Sequence, residues 1–341
     1  SYLRFDPLGV VFCIMPWNFP FWQVIRAAVP ALLAGNGILL KHASNVPQCS
    51  LKIQEVFEKS GFPKDLFISL LIDSKISLRL IEEDLVDAVS LTGSTGAGSS
   101  VASAAGARIK KCVLELGGSD PFIVLADADI DAASTAAVQA RIINTGQSCI
   151  AAKRFILEQS IAEEFTKKVI EGFKTLKIGD PLDESVNIGP LAKAEIRGDL
   201  ERQIAESISK GAKLLLGGKR PKRKGYFLEP TLLSNVTPEI PVGAEEVFGP
   251  VMSLFVVEDK EEALRVANNC QYGLGAAVWT RNLKVAEEMA ACIESGFIAI
   301  NGIVKSNPRL PFGGVKKSGF GRELGSYGIK EFVNIKTVVI N

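Results

Sequence analysis

Val10-Val11-Phe12-Cys13-Ile14-Met15 is an unbroken apolar run of strand length. An apolar run without alternation marks a parallel strand covered on both faces. Asn18 offers an N-cap for a helix that follows, with Pro20 in its first turn. Gly35 and Gly37 close that helix before a second apolar run, Ile38-Leu39-Leu40. The alternation continues outward: 47–59 has amphipathic helical spacing and ends at Gly61, while 67–72 and 86–91 read as strands. Strands alternating with helices predict an α/β fold built on a doubly wound parallel sheet. Ligands in such sheets sit beyond the carboxyl ends of the strands, where Asn18, Lys41, Gly93 and Glu115 fall.

From Ser119 the alternation begins again. Residues 121–125 form an apolar strand, 130–143 a helix, 155–157 a strand and 161–176 a helix with charges on its outer face. Residues 332–340 read as a C-terminal strand with Val333, Ile335, Thr337 and Val339 on one face. A chain of 341 residues is long for one core. The boundaries drawn are 1–118 for a cofactor-binding domain, 119–316 for a catalytic domain and 317–341 for a tail. With 47% hydrophobic and 23% charged residues the chain is globular. A formal net charge of +1 gives no argument for nucleic-acid or membrane binding, and no apolar run reaches membrane-spanning length. The basic segment 219–224 follows Gly217-Gly218 and carries no interleaved aromatics, so a solvated loop is preferred over a phosphate site.

Six scattered cysteines without Cys-x-x-Cys pairs fit free thiols in a reducing cytoplasm rather than a disulfide framework or zinc site. His42 is the single histidine, which argues against a Cys-His hydrolase dyad and histidine metal sites and suggests a loop residue beside Lys41; no metal is expected. Cys149 follows the turn-forming Gly146 after an apolar helical pattern, a setting in which a thiol faces a cleft and becomes a nucleophile. Glu115 ends the run Cys112-Val113-Leu114 before Gly117-Gly118, suiting proton transfer at a buried strand end. Taken singly, each also fits a bland reading, a buried cysteine and a strand-ending carboxylate.

The surrounding motifs decide. Met15-Pro16-Trp17-Asn18-Phe19-Pro20, Leu40-Lys41, Leu91-Thr92-Gly93-Ser94-Thr95, Leu114-Glu115-Leu116-Gly117-Gly118, Gly146-Gln147-Ser148-Cys149, Glu245-Glu246-Val247-Phe248-Gly249-Pro250 and Pro311-Phe312-Gly313-Gly314 stand in one order. In that order the chain resembles the aldehyde dehydrogenase superfamily from Leu8 nearly to its end. The resemblance implies an aldehyde dehydrogenase-like fold with a C-terminal oligomerisation strand, NADP or NAD as cofactor, and a homodimer or homotetramer. It implies Cys149 as nucleophile, Glu115 as the base that activates the hydrolytic water, and Asn18 as oxyanion donor. Met15, Pro16, Trp17, Lys41, Ser44, Gly93, Ser94, Leu116, Gly117, Glu246 and Phe248 are implied around the cofactor, and Phe19, Trp22, Arg26, Ser148 and Ser306 around the substrate.

In finer wording the chain looks most like succinate-semialdehyde dehydrogenases, with Arg26 aligned to a carboxylate-binding arginine; a surface salt bridge is its bland reading. A second such arginine is Ile143 here, and Lys305, Ser306 and Arg309 stand where they could replace it. Where NAD-preferring relatives commonly carry Glu, this chain has Ser44. That removes repulsion of a 2′-phosphate and leans the expectation toward NADP; Ser44 capping the next helix is the alternative. Ser1 aligns inside typical members, so the segment 4–10 is expected to lack its hairpin neighbour. An inactive nucleotide-binding relic and a thiol esterase remain alternatives.

Overall fold

The computed structural model covers Ser1–Asn341. The chain packs as two compact units, one of Ser1–Gly117 with Ser306–Asn341 and one of Gly118–Lys305. Packing thus groups 306–316 with the first unit, whereas the sequence boundary put them in the second.

The first unit opens with β1 (Tyr2–Pro7), β2 (Val10–Met15), α1 (Trp22–Leu33), β3 (Gly37–His42), α2 (Pro47–Lys59), β4 (Phe67–Ser69), α3 (Ser74–Glu82), β5 (Ala88–Thr92), α4 (Thr95–Ala107) and β6 (Lys111–Glu115). Strands β6-β5-β2-β3-β4 lie side by side in parallel, with β2 central. The strand order reverses at β2, so its carboxyl end and that of β5 border a crevice. Alternate residues of β2 enter different cores. Val11, Cys13 and Met15 pack with Val24, Ala28 and Phe57 from α1 and α2. Phe12 packs with Ile81, Val101 and Ala105 from α3 and α4. Helices on both faces explain the unbroken apolar run.

Several boundaries differ from the sequence reading. Helix α1 begins at Trp22 with Phe21 as N-cap, so Asn18 is not its cap and Pro20 lies outside the helix. Pro20 disfavours helical backbone at Phe19 and delays the start. Gly35, at φ +97°, does close the chain after α1. Strand β4 stops at Ser69, and β5 starts at Ala88. His42 ends β3 as a buried residue rather than standing in a loop. Val46 is the N-cap residue of α2 and Pro47 starts it, so Ser44 is not its cap.

The second unit contains β7 (Pro121–Val124), α5 (Ile130–Ile142), β8 (Arg154–Glu158), α6 (Gln159–Lys174), α7 (Ala194–Ser209), β9 (Lys213–Leu216), β10 (Thr231–Ser234), β11 (Val251–Val257), α8 (Lys260–Asn268), β12 (Gly275–Trp279), α9 (Leu283–Cys292) and β13 (Phe297–Ile300). The sheet order is β13-β12-β7-β8-β11-β10-β9, parallel except for β9. Phe122 and Val124 face α5 and α6, and Ile123 faces the core shared with α7, α8 and α9.

The returning segment adds β14 (Gly319–Phe320), antiparallel to β6, and β15 (Val333–Val338). Strand β15 pairs with β1 from Tyr2↔Val338 to Pro7↔Val333. The segment expected at 4–10 divides between β1 and the start of β2, and β1 pairs with the chain's own C-terminal strand rather than with a hairpin neighbour. No helix is long and apolar enough to cross a membrane.

Candidate active site

In the second unit, the segment between α5 and β8 carries Cys149. Asn144, Thr145 and Gly146 take left-handed φ values of 50°, 56° and 75° in succession. Only glycine fits at 146, because a Cβ there would lie 2.2 Å from the Gly249 carbonyl oxygen. The buried Arg141 guanidinium donates to Gly146 O at 2.8 Å. Gln147 Oε1 accepts from Ala192 N–H at 2.8 Å. Lys153 Nζ donates to the carbonyls of Ser148, Cys149 and Ala151 at 3.0, 2.8 and 3.0 Å. These bonds hold both ends of a turn whose Cys149 thiol is half-buried and free of disulfide. Ser148 is buried, and its hydroxyl has no hydrogen-bond partner.

Glu246 accepts from Gly118 N–H at 3.0 Å and lies 3.9 Å from Lys153. Burial raises its pKa, opposed by Lys153, the Gly118 bond and Arg141. With Phe248, Leu200, Gln203 and Tyr272 it lines a cavity of about 390 Å³. Asp120, buried beside this set, is pushed up to about 6 by burial, against the pull of Lys153.

In the first unit, Glu115 ends β6 opposite Thr92 and Gly319. It is 2% exposed, and neither carboxyl oxygen has a hydrogen-bond partner. Burial, then the neighbouring Glu323, drives its pKa well above the ordinary carboxylate value, opposed by Arg26 and Arg322. Gly313 leaves room for it: a Cβ there would lie 2.8 Å from Glu115 Oε1.

Arg26 requires a correction. Its guanidinium is 3% exposed, ion-paired with Glu323 and stacked over the Phe312 ring at 4.6 Å. It forms a buried rather than a surface salt bridge, and its charge compensates a buried glutamate. Two other substrate candidates do meet: Trp22 Nε1–H donates to Ser306 Oγ at 3.1 Å.

Asn18 and Phe19 are half-buried in the turn after β2. His42 secures that turn, with Nε2 2.8 Å from Pro20 O and Nδ1 2.9 Å from Ala43 N. The assignment that satisfies both has Nε2–H donating to Pro20 and Nδ1 accepting from Ala43. Burial lowers the pKa of His42, so it supplies no positive charge near neutral pH.

Around the crevice, Ser94 caps α4 by accepting from Ala97 N–H at 3.3 Å. The N–H groups of Thr95 and Gly96 have no acceptor within the helix. The Thr92 and Thr95 hydroxyls have no partner, and Gly96 faces open space. Together these donors fit a dinucleotide diphosphate. Gly93 N–H donates to Glu115 O at 2.9 Å. Lys41, next to last in β3, is half-buried beside Ile14, and Ser44 is exposed just beyond the strand. Trp17 and Pro16 are half-buried. Met15 is core by its side chain, and its carbonyl accepts from Ala43 N–H. Leu116 also packs in the core, and its N–H donates to Ser318 O at 3.0 Å. Gly117 O accepts from Ser318 Oγ at 2.6 Å.

Sequence reasoning missed Glu323, Phe312, Ser318 and Lys153 as supports. Only Lys153 carried a local signal, as a cation directly after the apolar run Ile150-Ala151-Ala152 and before a buried strand.

Residues 1–338 match the aldehyde dehydrogenase family. The chain is 53% identical over 340 residues to a probable NADP(+) succinate-semialdehyde dehydrogenase of Synechocystis sp., covering 100% of this chain and 75% of that relative. It is 49% identical over 336 residues to an NAD(P)+ succinate semialdehyde dehydrogenase of Escherichia coli, covering 98% and 73%. A crystal structure of succinic semialdehyde dehydrogenase from Streptococcus pyogenes in complex with NADP+ superimposes with a TM-score of 0.97 at 38% identity, covering 99% of this chain and 74% of that one.

Proposed function

This chain belongs to the aldehyde dehydrogenase family, and from that premise we propose that it oxidises succinate semialdehyde to the free acid, with NADP favoured and NAD usable. The observation that carries the reading is Glu115, a carboxyl group buried at a strand end with both oxygens unbonded. A purely structural carboxylate so buried would be paired. A base awaiting water need not be.

Mechanism follows from the proposed roles. The Cys149 thiolate adds to the aldehyde carbon as the carbonyl pair moves onto oxygen. The Asn18 amide and the Cys149 N–H donate to that oxyanion, each donor contributing roughly 3–4 kcal/mol in comparable sites. NADP or NAD, when bound, supplies the hydride acceptor. The carbonyl re-forms as the hydride leaves, so Cys149 carries a thioester. Glu115 takes a proton from water, the hydroxyl oxygen attacks, the C–S bond breaks and the acid departs. Trp17, Gly93 and Ser94 are assigned to the diphosphate, Lys41 and Glu246 to the riboses and Phe248 to the nicotinamide.

With Arg26 paired to Glu323 and Ile143 apolar, recognition of the distal carboxylate is assigned to Ser306 and Arg309. The Trp22–Ser306 hydrogen bond supports that assignment. The exposed Ser44 supports acceptance of a 2′-phosphate, and the relatives' NADP use supports it further. Six free cysteines suit a reducing compartment, and the cytoplasm is assigned on that ground. A homodimer or homotetramer is assigned from the exposed apolar face of the β1–β15 sheet.

Mixing the protein with succinate semialdehyde and NADP should raise the near-ultraviolet absorbance of reduced nicotinamide. Nucleotide binding without reduction would restore the relic reading. Ester hydrolysis without reduction would favour the thiol esterase.

A further inference from the structure

We propose that Lys153 is a positioning residue that turns the Cys149 N–H toward the reacting oxygen. The inference rests on the reading of Cys149 as nucleophile. Lys153 is fully buried, and its ammonium has three donors. All three are used, on the carbonyls of Ser148, Cys149 and Ala151. A planar trans peptide points its C=O and the following N–H in opposite directions. With the Ser148 carbonyl drawn onto Lys153, the Cys149 N–H must point away from it, and the Ile150 N–H likewise. The backbone donor assigned to the oxyanion is thus aimed by a side chain four residues downstream.

The need for such an anchor lies in the turn itself. Three successive left-handed residues, two of them not glycine, precede Gln147. Such conformations persist only where surrounding contacts over-determine them. Arg141 and Gln147 hold the entry to the turn, and Lys153 holds its exit.

Charge gives Lys153 a second effect. Burial lowers the pKa of Lys153 and Arg141 adds to that, while the facing Glu246, Asp120 and Cys149 oppose it and favour the charged form. The coupling is reciprocal, so a charged Lys153 favours the Cys149 thiolate. A neutral side chain of similar length would take this donor from the Cys149 and Ala151 carbonyls and leave the Ser148 carbonyl only the longer bond from Ala151 N–H at 3.3 Å.

Lys153→Met and Lys153→Arg test this in the full chain. The readouts are circular dichroism, NADP binding, kcat and KM for the aldehyde, and the pH midpoint of iodoacetamide alkylation at the Cys149 peptide by mass spectrometry. Lys153→Met is expected to stay folded and bind NADP, while kcat falls roughly a hundredfold to a thousandfold, as when an oxyanion donor is lost. KM should change much less, and the alkylation midpoint should rise. Lys153→Arg should recover part of kcat. A folded Lys153→Met with unchanged kcat and midpoint overturns the proposal. Should that variant not fold, Lys153→Gln, which keeps two donors without charge, is read in the same way. Cys149→Ser separates the two readings: if it still turns over, the nucleophile assignment fails; if it is dead while Lys153→Met is normal, only the positioning role fails.

Discussion

Removal from water governs Glu115. Burial and Glu323 hold its proton above the ordinary carboxylate range, while Arg26 and Arg322 pull the other way. As the proposed base it acts only when deprotonated, so kcat should rise with pH through its raised pKa. Glu115→Gln should remove that limb and give one burst of reduced cofactor before stalling at the thioester. Steady turnover without a burst would take Glu115 out of the hydrolytic step. The same shift bears on stability. A folded-state pKa above the unfolded one means that the unfolded chain releases its proton first as pH rises. Stability from this group is therefore complete below the ordinary carboxylate pKa and declines as pH rises toward the folded value. Glu115→Gln should stabilise more at about pH 8 than at about pH 5 in chemical denaturation. Ser44 is the other single-residue test. Ser44→Glu puts a carboxylate where a 2′-phosphate is proposed to sit, and kcat/KM for NADP should fall at least about tenfold, roughly 1.4 kcal/mol, with NAD little affected. Equal loss for both cofactors would place Ser44 outside the ribose site.

Helix α1 shows how an element can carry a charge whose partner lies far away in the sequence. Its apolar face packs in the core with Val24, Ala28 and Ala31, and Arg26 lies on the side that meets Glu323 and Phe312. Removing one partner of a buried ion pair leaves an uncompensated charge and costs about 3–5 kcal/mol. Replacing both partners by neutral groups is often nearly free. Arg26→Met alone should therefore lower stability by roughly that amount, and Arg26→Met with Glu323→Gln should restore most of it. Thermal denaturation of the two single variants and the double gives the coupling. KM of the restored double variant decides the remaining question: an unchanged value fits a structural arginine, and a tenfold rise with stability recovered would return Arg26 to the substrate. The start of α1 carries a similar lesson. Asn18 has the chemistry of a cap, yet Pro20 shifts the first turn to Trp22 and makes Phe21 the N-cap residue.

At the scale of the whole molecule, the β1–β15 sheet is the surface that points to assembly. Leu3, Phe5 and Ile335 lie on one face at 60%, 49% and 53% exposure, in register as Leu3↔Thr337 and Phe5↔Ile335. The opposite face carries Asp6 bonded to Lys336 and Arg4. Two strands alone are marginal in water, and an apolar exposed face is an association site. Light scattering at micromolar concentration should find a dimer or tetramer, and Ile335→Glu should shift it toward monomer. A wild-type monomer would count against the proposed assembly.

Some of this was legible from the residues alone because its cause is local. Continuous apolar runs at 10–15 and 38–40 could only be strands covered on both faces, and both lie in the parallel sheet. The strand end at Glu115 and the turn before Cys149 were legible from the apolar run and Gly146 beside them. What the residues alone could not decide was partnership across the chain. Glu323 neutralises Arg26, β15 completes β1, and Ser318 binds the Leu116-Gly117 backbone, all from the far end of the sequence. His42 was expected in a loop and is instead a buried clasp, since its role depends on Pro20 and Ala43 lying against its ring. Periodicity reports which face of an element meets the core. Only tertiary packing determines which group a buried charge or an unpaired strand meets, because desolvation makes the cost of each depend on its partner.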